Sequence, residues 1–567
     1  MYRFMCVILL IFFTVLSNAE AQRAGELVQG RGGMVVSACP EATRVGVDVL
    51  RGGGNAVDAA VAMGFALAVT YPSAGNIGGG SYLLIRMADG REAAIDARET
   101  APAAAHRDMY LDETGEVVPE ASTVGPLAAG VPGSVDGLLH ALQRFGTLPR
   151  ETILSHAVRL AREGFVPHPR LRRLVRINKA QLTRFPSTAD VFFPDGNPLS
   201  NDEVWKQPDL ASMLERISRD GRNGFYTGET ARMLASAMRL DGGIITEQDL
   251  AGYRCIERAP LRGSYKGYDI LGMPPSSSGG VALLQMLGVI ERFNFSAHPR
   301  DDAMSAHIMV EAMRRAFADR AEHLGDPDFM RVSVDSLLSS ATFDAFTASI
   351  DTGKSTSSRA LKPHLLPTGD GGMHTTHFVV LDAAGNAVSV TTTINSSFGS
   401  LYVVPGSGML LNNEMDDFSI KTGVANQFDL LGGEVNSIAP GKRMLSSMTP
   451  TIVLFDGKPV LLTGSPGGSK IITSVLQTVL NTLEFSMTLN DALASPRFHH
   501  QWFPDHVQYE SGALSDITLR ELRKKGHTLV RSPVFGRVEA IYIDAKSGSV
   551  QGCSDPRGYG QAASIER

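Results

Sequence analysis

Gly371-Gly372-Met373-His374-Thr375-Thr376-His377, running straight into Phe378-Val379-Val380-Leu381, is the stretch that decides how this chain reads. Asp382-Ala383-Ala384-Gly385-Asn386 follows, then Ala387-Val388-Ser389-Val390-Thr391-Thr392-Thr393. The pattern predicts a strand, a Gly/Asn turn and a return strand. A threonine opens the first strand, preceded by flexible residues that could bend sharply or be cut. A cut before Thr375 would bring its new α-amino group within reach of its own hydroxyl. An amine so placed can act as general base for a threonine nucleophile. Threonine also favours strand starts for steric reasons alone, so the stretch by itself leaves both readings open.

The 567 residues are 43% hydrophobic and 20% charged with a net charge of -6, the composition of a soluble globular protein. No basic stripe with interleaved aromatics is present, which argues against nucleic acid as a partner. At the N terminus, Met1-Tyr2-Arg3, an apolar run from Cys6 to Leu16 and the small-x-small site Ala19-Glu20-Ala21 have the form of a secretory signal peptide. Cleavage is expected before Gln22, and the apolar run is short for a membrane anchor, the alternative reading. No later apolar stretch reaches the length of a membrane span, so the mature protein is expected to be periplasmic or extracellular. Outside this leader, Cys39, Cys255 and Cys553 are widely spaced and lack metal-ligand spacing. One disulfide and three free thiols both remain open.

Outward from the decisive stretch, residues 34–38 read as a strand and 41–51 as a helix. Asn55 with Asp58 three positions on predicts a capped start to an Ala-rich buried helix over 59–70. Residues 81–86 and 92–100, joined by Asp89-Gly90, read as an antiparallel hairpin. Residues 130–350 read as mainly helical, with apolar positions three and four apart over 158–163, 212–219, 229–240, 282–293 and 303–324. Residues 351–374, polar and unpatterned, read as a linker that ends at His374. Beyond it come strands over 378–381, 387–394, 451–455 and 459–463, and helices opening near Ser469 and over 516–525. Hairpins and helices on both sides of the linker predict one sandwiched α+β domain.

Several constellations carry chemistry. Thr463-Gly464-Ser465-Pro466-Gly467-Gly468-Ser469-Lys470 lies between a strand and a helix, where adjacent glycines can point backbone N–H groups into a cleft as an oxyanion hole. A phosphate loop is excluded because Ser469 occupies its second glycine position, while an ordinary tight turn stays open. Asn412-Asn413-Glu414-Met415-Asp416-Asp417-Phe418 could hold an ammonium ion, or be a solvated turn; it lacks calcium-loop spacing. Arg98 could clamp a carboxylate, or pair with Glu99 or another acid. Ser446-Ser447 offers two hydroxyls. There is no Gly-x-Ser-x-Gly elbow, no His-Glu-x-x-His zinc helix and no dinucleotide fingerprint in the right context. His499-His500, His374 and His377 lack a ligand set, so neither a metal nor a cofactor is expected.

Taken in order, Gly53-Gly54-Asn55-Ala56-Val57-Asp58-Ala59-Ala60-Val61-Ala62, residues 75–80, Gly130-Val131-Pro132-Gly133 and Met273-Pro274-Pro275-Ser276-Ser277-Ser278-Gly279-Gly280 form an ordered set with Thr375-Thr376-His377 and residues 412–418, 445–450, 463–469 and 494–501. The set resembles the γ-glutamyltranspeptidases of the N-terminal-nucleophile hydrolase superfamily over nearly the whole mature chain. The resemblance implies an α+β, four-layer α-β-β-α sandwich. It implies self-cleavage between His374 and Thr375, giving a large subunit (22–374) and a small subunit (375–567) intertwined in one domain behind a leader (1–21). Thr375 would attack the γ-glutamyl amide of glutathione or another γ-glutamyl compound, and water, an amino acid or a dipeptide would take the acyl group. Thr393 matches the residue that hydrogen-bonds the nucleophile, and Gly467 and Gly468 match the oxyanion pair. Arg98, Ser446 and Ser447 match the groups on the donor's α-carboxylate; Asn395, Glu414 and Asp417 match those on its α-amino group. Residues 423–433 match a lid with Phe428 in the gate position, which the related cephalosporin acylases are expected to lack. An acylase on glutaryl-type amides and a non-catalytic periplasmic γ-glutamyl-peptide binder are the alternatives.

Overall fold

Two seven-stranded sheets lie face to face in the computed structural model, which describes residues 25–293, 295–361, 375–421 and 423–566. In chain order the strands are β1 (Val28–Gly30), β2 (Gly33–Ser37), β3 (Gly80–Arg86), β4 (Glu92–Ala97), β5 (Ile256–Arg258), β6 (Leu261–Tyr265), β7 (Tyr268–Gly272), β8 (Thr376–Leu381) and β9 (Ala387–Thr393). They continue as β10 (Thr451–Phe455), β11 (Lys458–Gly464), β12 (Phe498–His499), β13 (Val507–Tyr509), β14 (Leu529–Arg531), β15 (Glu539–Ile543), β16 (Val550–Ser554) and β17 (Gln561–Ile565). One sheet runs β17-β2-β8-β9-β3-β4-β5, the other β1-β16-β15-β11-β10-β7-β6, and β12-β13-β14 form a small third. Six helices bear on the site: α1 (Pro40–Arg51), α2 (Ala56–Thr70), α3 (Ser134–Phe145), α4 (Gly279–Glu291), α5 (Ala303–His323) and α6 (Lys470–Leu483).

Alternation along the strands builds the layers. In β8, Val379 and Leu381 enter the core between the sheets with Tyr82, Leu84, Ile452 and Leu462. Phe378 and Val380 face the opposite way, into a core shared with α2 and α3. On the far side, Val453 and Leu461 join a third core with α4, α5 and α6. A strand covered on both faces reads as a continuous apolar run, which is why 378–381 carries no polar alternation. The result is the expected four-layer α-β-β-α sandwich.

The capped start of α2 forms as predicted. Asn55 Oδ1 accepts from the N–H groups of Val57 and Asp58, and Asp58 Oδ2 accepts from Asn55 N at 2.8 Å. Every residue of that helix is buried. The β8–β9 hairpin also forms, closed by Asp382, whose Oδ2 accepts from Ala56 N at 2.9 Å and so ties the turn to the start of α2.

Three expectations need correction. The second strand of the first hairpin ends at Ala97, not at 100, so Arg98 and Glu99 leave the sheet and are buried beside it. Residues 256–272 form β5, β6 and β7 within the region read as mainly helical, because their short runs, broken by Gly263 and Gly267, give no strong period. The first part of the predicted linker is pinned rather than free. Ser358 is fully buried, its Oγ donates to Trp502 O at 2.6 Å, and Trp502 Nε1 donates to Ser358 O at 2.8 Å. The rest of the linker with His374, and the leader, lie outside the described residues. Cys39, Cys255 and Cys553 are all free. Among the described residues no helix is long and apolar enough to cross a membrane.

Candidate active site

The β8–β9 register pairs Thr376 with Thr392, which sets Thr375 opposite Thr393. Residues so paired have Cβ atoms about 5 Å apart, within hydroxyl reach. Thr375 is 8% exposed and lines a small cavity. Of the ten residues predicted for the site, nine line that cavity, and the tenth, Gly467, adjoins the lining residue Gly468.

Thr393 is held from two sides. Its Oγ1 accepts from Asn395 N at 2.8 Å, and its carbonyl accepts from Asn76 Nδ2 at 2.7 Å. Asn76 Oδ1 in turn accepts from Gly79 N at 2.9 Å and Ser134 Oγ at 2.8 Å. A Cβ on Gly79 would lie 2.2 Å from Thr393 O, so only glycine lets this loop approach β9. The sequence reading singled out the run 75–80 but gave Asn76 no role in the site.

At the mouth of α6, Gly467 (φ 140°) and Gly468 (φ 56°) take backbone conformations that favour glycine. Their carbonyls accept from Lys470 N and Ile471 N, each at 3.1 Å. Their own N–H groups donate to no group among the described residues. Two unengaged N–H groups at a helix start suit a developing oxyanion. A Cβ on Gly468 would meet the Phe428 ring at 2.7 Å.

Phe428 and Leu430, from the segment 423–433 expected to form a lid, line the cavity. Its shape comes from Asn426, whose Oδ1 accepts from Phe428 N at 3.0 Å and Leu430 N at 3.2 Å. Asn426 Nδ2 also donates to Asp417 Oδ1 at 3.2 Å. Gln501 Nε2 holds the carbonyls of Phe428 and Asp429, each at 3.1 Å.

The charged groups expected at opposite ends of a zwitterion are paired with each other. Arg98, 1% exposed, donates from Nη1 to Glu414 Oε2 at 2.7 Å, from Nη2 to Asp417 Oδ2, and from Nε to Met444 O at 3.2 Å. Burial opposes the Arg98 charge, but Glu414, Glu99 and Asp417 together push its pKa well above the ordinary value. Burial drives Glu414 well above the carboxylate range, against the pull of Arg98. It lifts Glu99 to about 8. Asp416 faces away, accepting from Ser122 Oγ at 2.8 Å and Gln427 N at 3.1 Å. Ser446 and Ser447 complete the wall, and a residue the sequence reading missed, Arg320 of α5, donates from Nη2 to Ser447 Oγ at 3.2 Å.

His377 is buried within β8 beside Thr391 Oγ1 at 2.9 Å, and burial takes its pKa down to about 3. Among the described residues the fold does assemble one His/Glu group that the sequence reading did not foresee: His307, Glu311 and His527. Glu311 is already committed to Arg314 Nε at 3.2 Å and Arg315 Nη1 at 2.6 Å, so this group is a neutralised buried network.

The profile of the Gamma-glutamyltranspeptidase family matches residues 42–565. This chain belongs to the γ-glutamyltranspeptidase family. A glutathione hydrolase proenzyme of Escherichia coli (strain K12) is 44% identical over 531 residues, spanning 94% of this chain and 91% of that relative. Among solved structures, the γ-glutamyltranspeptidase of Helicobacter pylori is 39% identical with a TM-score of 0.55, over 59% of this chain and 93% of that one. A cephalosporin acylase from Bacillus halodurans is 27% identical with a TM-score of 0.84, over 97% of this chain and 99% of that one. The fold of this chain is thus shared by γ-glutamyltranspeptidases and a cephalosporin acylase.

Proposed function

We propose that this protein is a self-processing γ-glutamyltransferase and glutathione hydrolase that works outside the cytoplasm, with Thr375 as its nucleophile. The observation that carries the reading is the cavity itself. Thr375 and Thr393 face each other at one end, and a guanidinium, two serine hydroxyls and two carboxylates stand around the rest.

In the precursor, the Thr375 hydroxyl attacks the His374 carbonyl, the peptide C–N bond breaks and an ester forms on Oγ. Water then opens the ester, leaving a large subunit of 22–374 and a small subunit that begins with a free threonine amine. In the mature enzyme that amine takes the hydroxyl proton as Oγ attacks the γ-carbonyl of the donor. The N–H groups of Gly467 and Gly468 receive the developing oxyanion. The amine passes its proton to the leaving amine, and the γ-glutamyl ester is released to water, an amino acid or a dipeptide. Arg98, Ser446 and Ser447 hold the donor's α-carboxylate, while Asn395, Glu414 and Asp417 hold its α-ammonium. Donor binding places each end of the zwitterion against the partner that Arg98, Glu414 and Asp417 supply to one another in its absence.

A glutaryl-type acylase is the second reading, favoured by the acylase fold likeness. Against it stand the segment 423–433 at the cavity and the acids Glu414 and Asp417, to which a donor without an α-amino group would bring no cation of its own.

Intact mass of the purified protein beside a Thr375→Ala variant tests the nucleophile. Two fragments dividing before Thr375, with a single chain in the variant, are expected. One uncut chain in both would put the non-catalytic binder first. Release of p-nitroaniline from γ-glutamyl-p-nitroanilide, compared with glutaryl-p-nitroanilide, then decides between the two enzyme readings.

A further inference from the structure

The triple serine of Met273-Pro274-Pro275-Ser276-Ser277-Ser278-Gly279-Gly280 has no part in the chemistry above, yet it grips the carboxylate wall. Ser278 donates from both N and Oγ to Ser446 O, at 2.8 and 2.6 Å. Ser446 N donates back to Ser276 O at 3.0 Å. The same Ser278 Oγ accepts from Arg320 Nε at 3.0 Å, while Arg320 Nη2 donates to Ser447 Oγ. One short run therefore fixes Ser446 and Arg320 in a single frame.

Arg320 is 5% exposed and lines the cavity, yet it makes no ion pair among the described residues. The other buried arginines of α5 differ: Arg314 and Arg315 both pair with Glu311. Arg98, across the cavity, spends its charge on Glu414 and Asp417. A buried guanidinium that is hydrogen-bonded only to hydroxyls is poorly solvated, and burial lowers its pKa to about 10 against the longer-range pull of Asp417. Its Nη1 makes no hydrogen bond to any described residue. An anion in the cavity would supply what the fold withholds.

We propose that Arg320 is a second cation of the donor's α-carboxylate subsite, facing that carboxylate alongside Ser447 while Ser278 holds it in place. The inference rests on the proposed γ-glutamyl activity. Arg98 is shared between the two ends of the zwitterion through its ion pairs with Glu414 and Asp417, whereas Arg320 contacts only the hydroxyls of the carboxylate end.

Steady-state kinetics on γ-glutamyl-p-nitroanilide, with Arg320→Met, Arg320→Lys and Ser278→Ala, test it, with chain cleavage checked by gel. Arg320→Met should raise KM about 30-fold or more with kcat within about 3-fold, and raise the inhibition constant of free L-glutamate in parallel. Arg320→Lys should recover part of that loss, and Ser278→Ala should raise KM by a smaller factor, about 3- to 10-fold. If Arg320→Met fails to mature, the other two variants carry the reading. An unchanged KM, a fall in kcat alone, or failure of all three variants to mature overturns the proposal. Wild-type protein that is cut but inactive on the anilide would instead refute the γ-glutamyl reading.

Discussion

Asn76 reaches from the loop before β3 to the end of β9, donating to the Thr393 carbonyl at 2.7 Å and to Thr392 Oγ1 at 3.0 Å. It thereby sets Thr393, the residue opposite the proposed nucleophile Thr375. Asn76→Ala would strip five buried hydrogen bonds from one side chain. Self-cleavage should slow and kcat should fall about 10-fold or more, with about 2–4 kcal/mol of stability lost. A gel time course of processing and urea denaturation check this.

Gly468→Ala places a methyl against Phe428 at a backbone conformation alanine resists, and shifts an N–H expected to bind the oxyanion. A fall in kcat of about 10- to 1000-fold is expected, with a much smaller change in KM. Normal kcat would take the glycine pair out of the reaction.

Asp417→Asn keeps the side-chain shape but removes a charge from the proposed ammonium subsite. KM for a γ-glutamyl donor should rise about 10- to 100-fold. Turnover of a glutaryl amide, which has no ammonium, should hold level or improve. Equal effects on both donors would contradict the assignment.

Burial lifts Glu99 from 4.5 to about 8, partly offset by Arg98. Between those values the folded protein holds a proton that the unfolded chain has released. Stability is therefore full below about 4.5 and declines as pH rises through 8, by up to a few kcal/mol. Glu99→Gln cannot release the proton, so its Tm should fall less than the wild type's between about pH 5 and 9. Parallel Tm curves would show that Glu99 is ionised throughout.

Much of the site could be read from local signals. Asn55 and Asp58 announce a capped helix, and the run from Phe378 with its Asp/Gly/Asn turn announces the hairpin that presents Thr375. The strands β5 to β7 could not, because they are short, and β5 and β7 rely on β4 and β10, distant along the chain, while β6 adds only a local hairpin at the sheet edge. Arg98 was legible as a carboxylate clamp and as an acid's partner, but not as the direct partner of Glu414 and Asp417 together, which needs tertiary contact. Arg320 left a faint local trace: no acid stands three or four positions from it in either direction, whereas Glu311 stands so placed for both Arg314 and Arg315. The hydroxyls of the supposed linker looked like solvated loop, and only the fold shows Ser358 sealed against Trp502.

Both sheets interleave strands from before and after Thr375. β17 and β8 flank β2, and β9 lies against β3; in the other sheet β16 lies against β1 and β10 against β7. Severing the chain at one peptide bond would thus yield two polypeptides but not two bodies. Neither piece could leave without exposing open strand edges on both sheets. Isotope-labelled and unlabelled mature protein, mixed and incubated, should form no hybrids, and each molecule should keep for life the partner it was synthesised with.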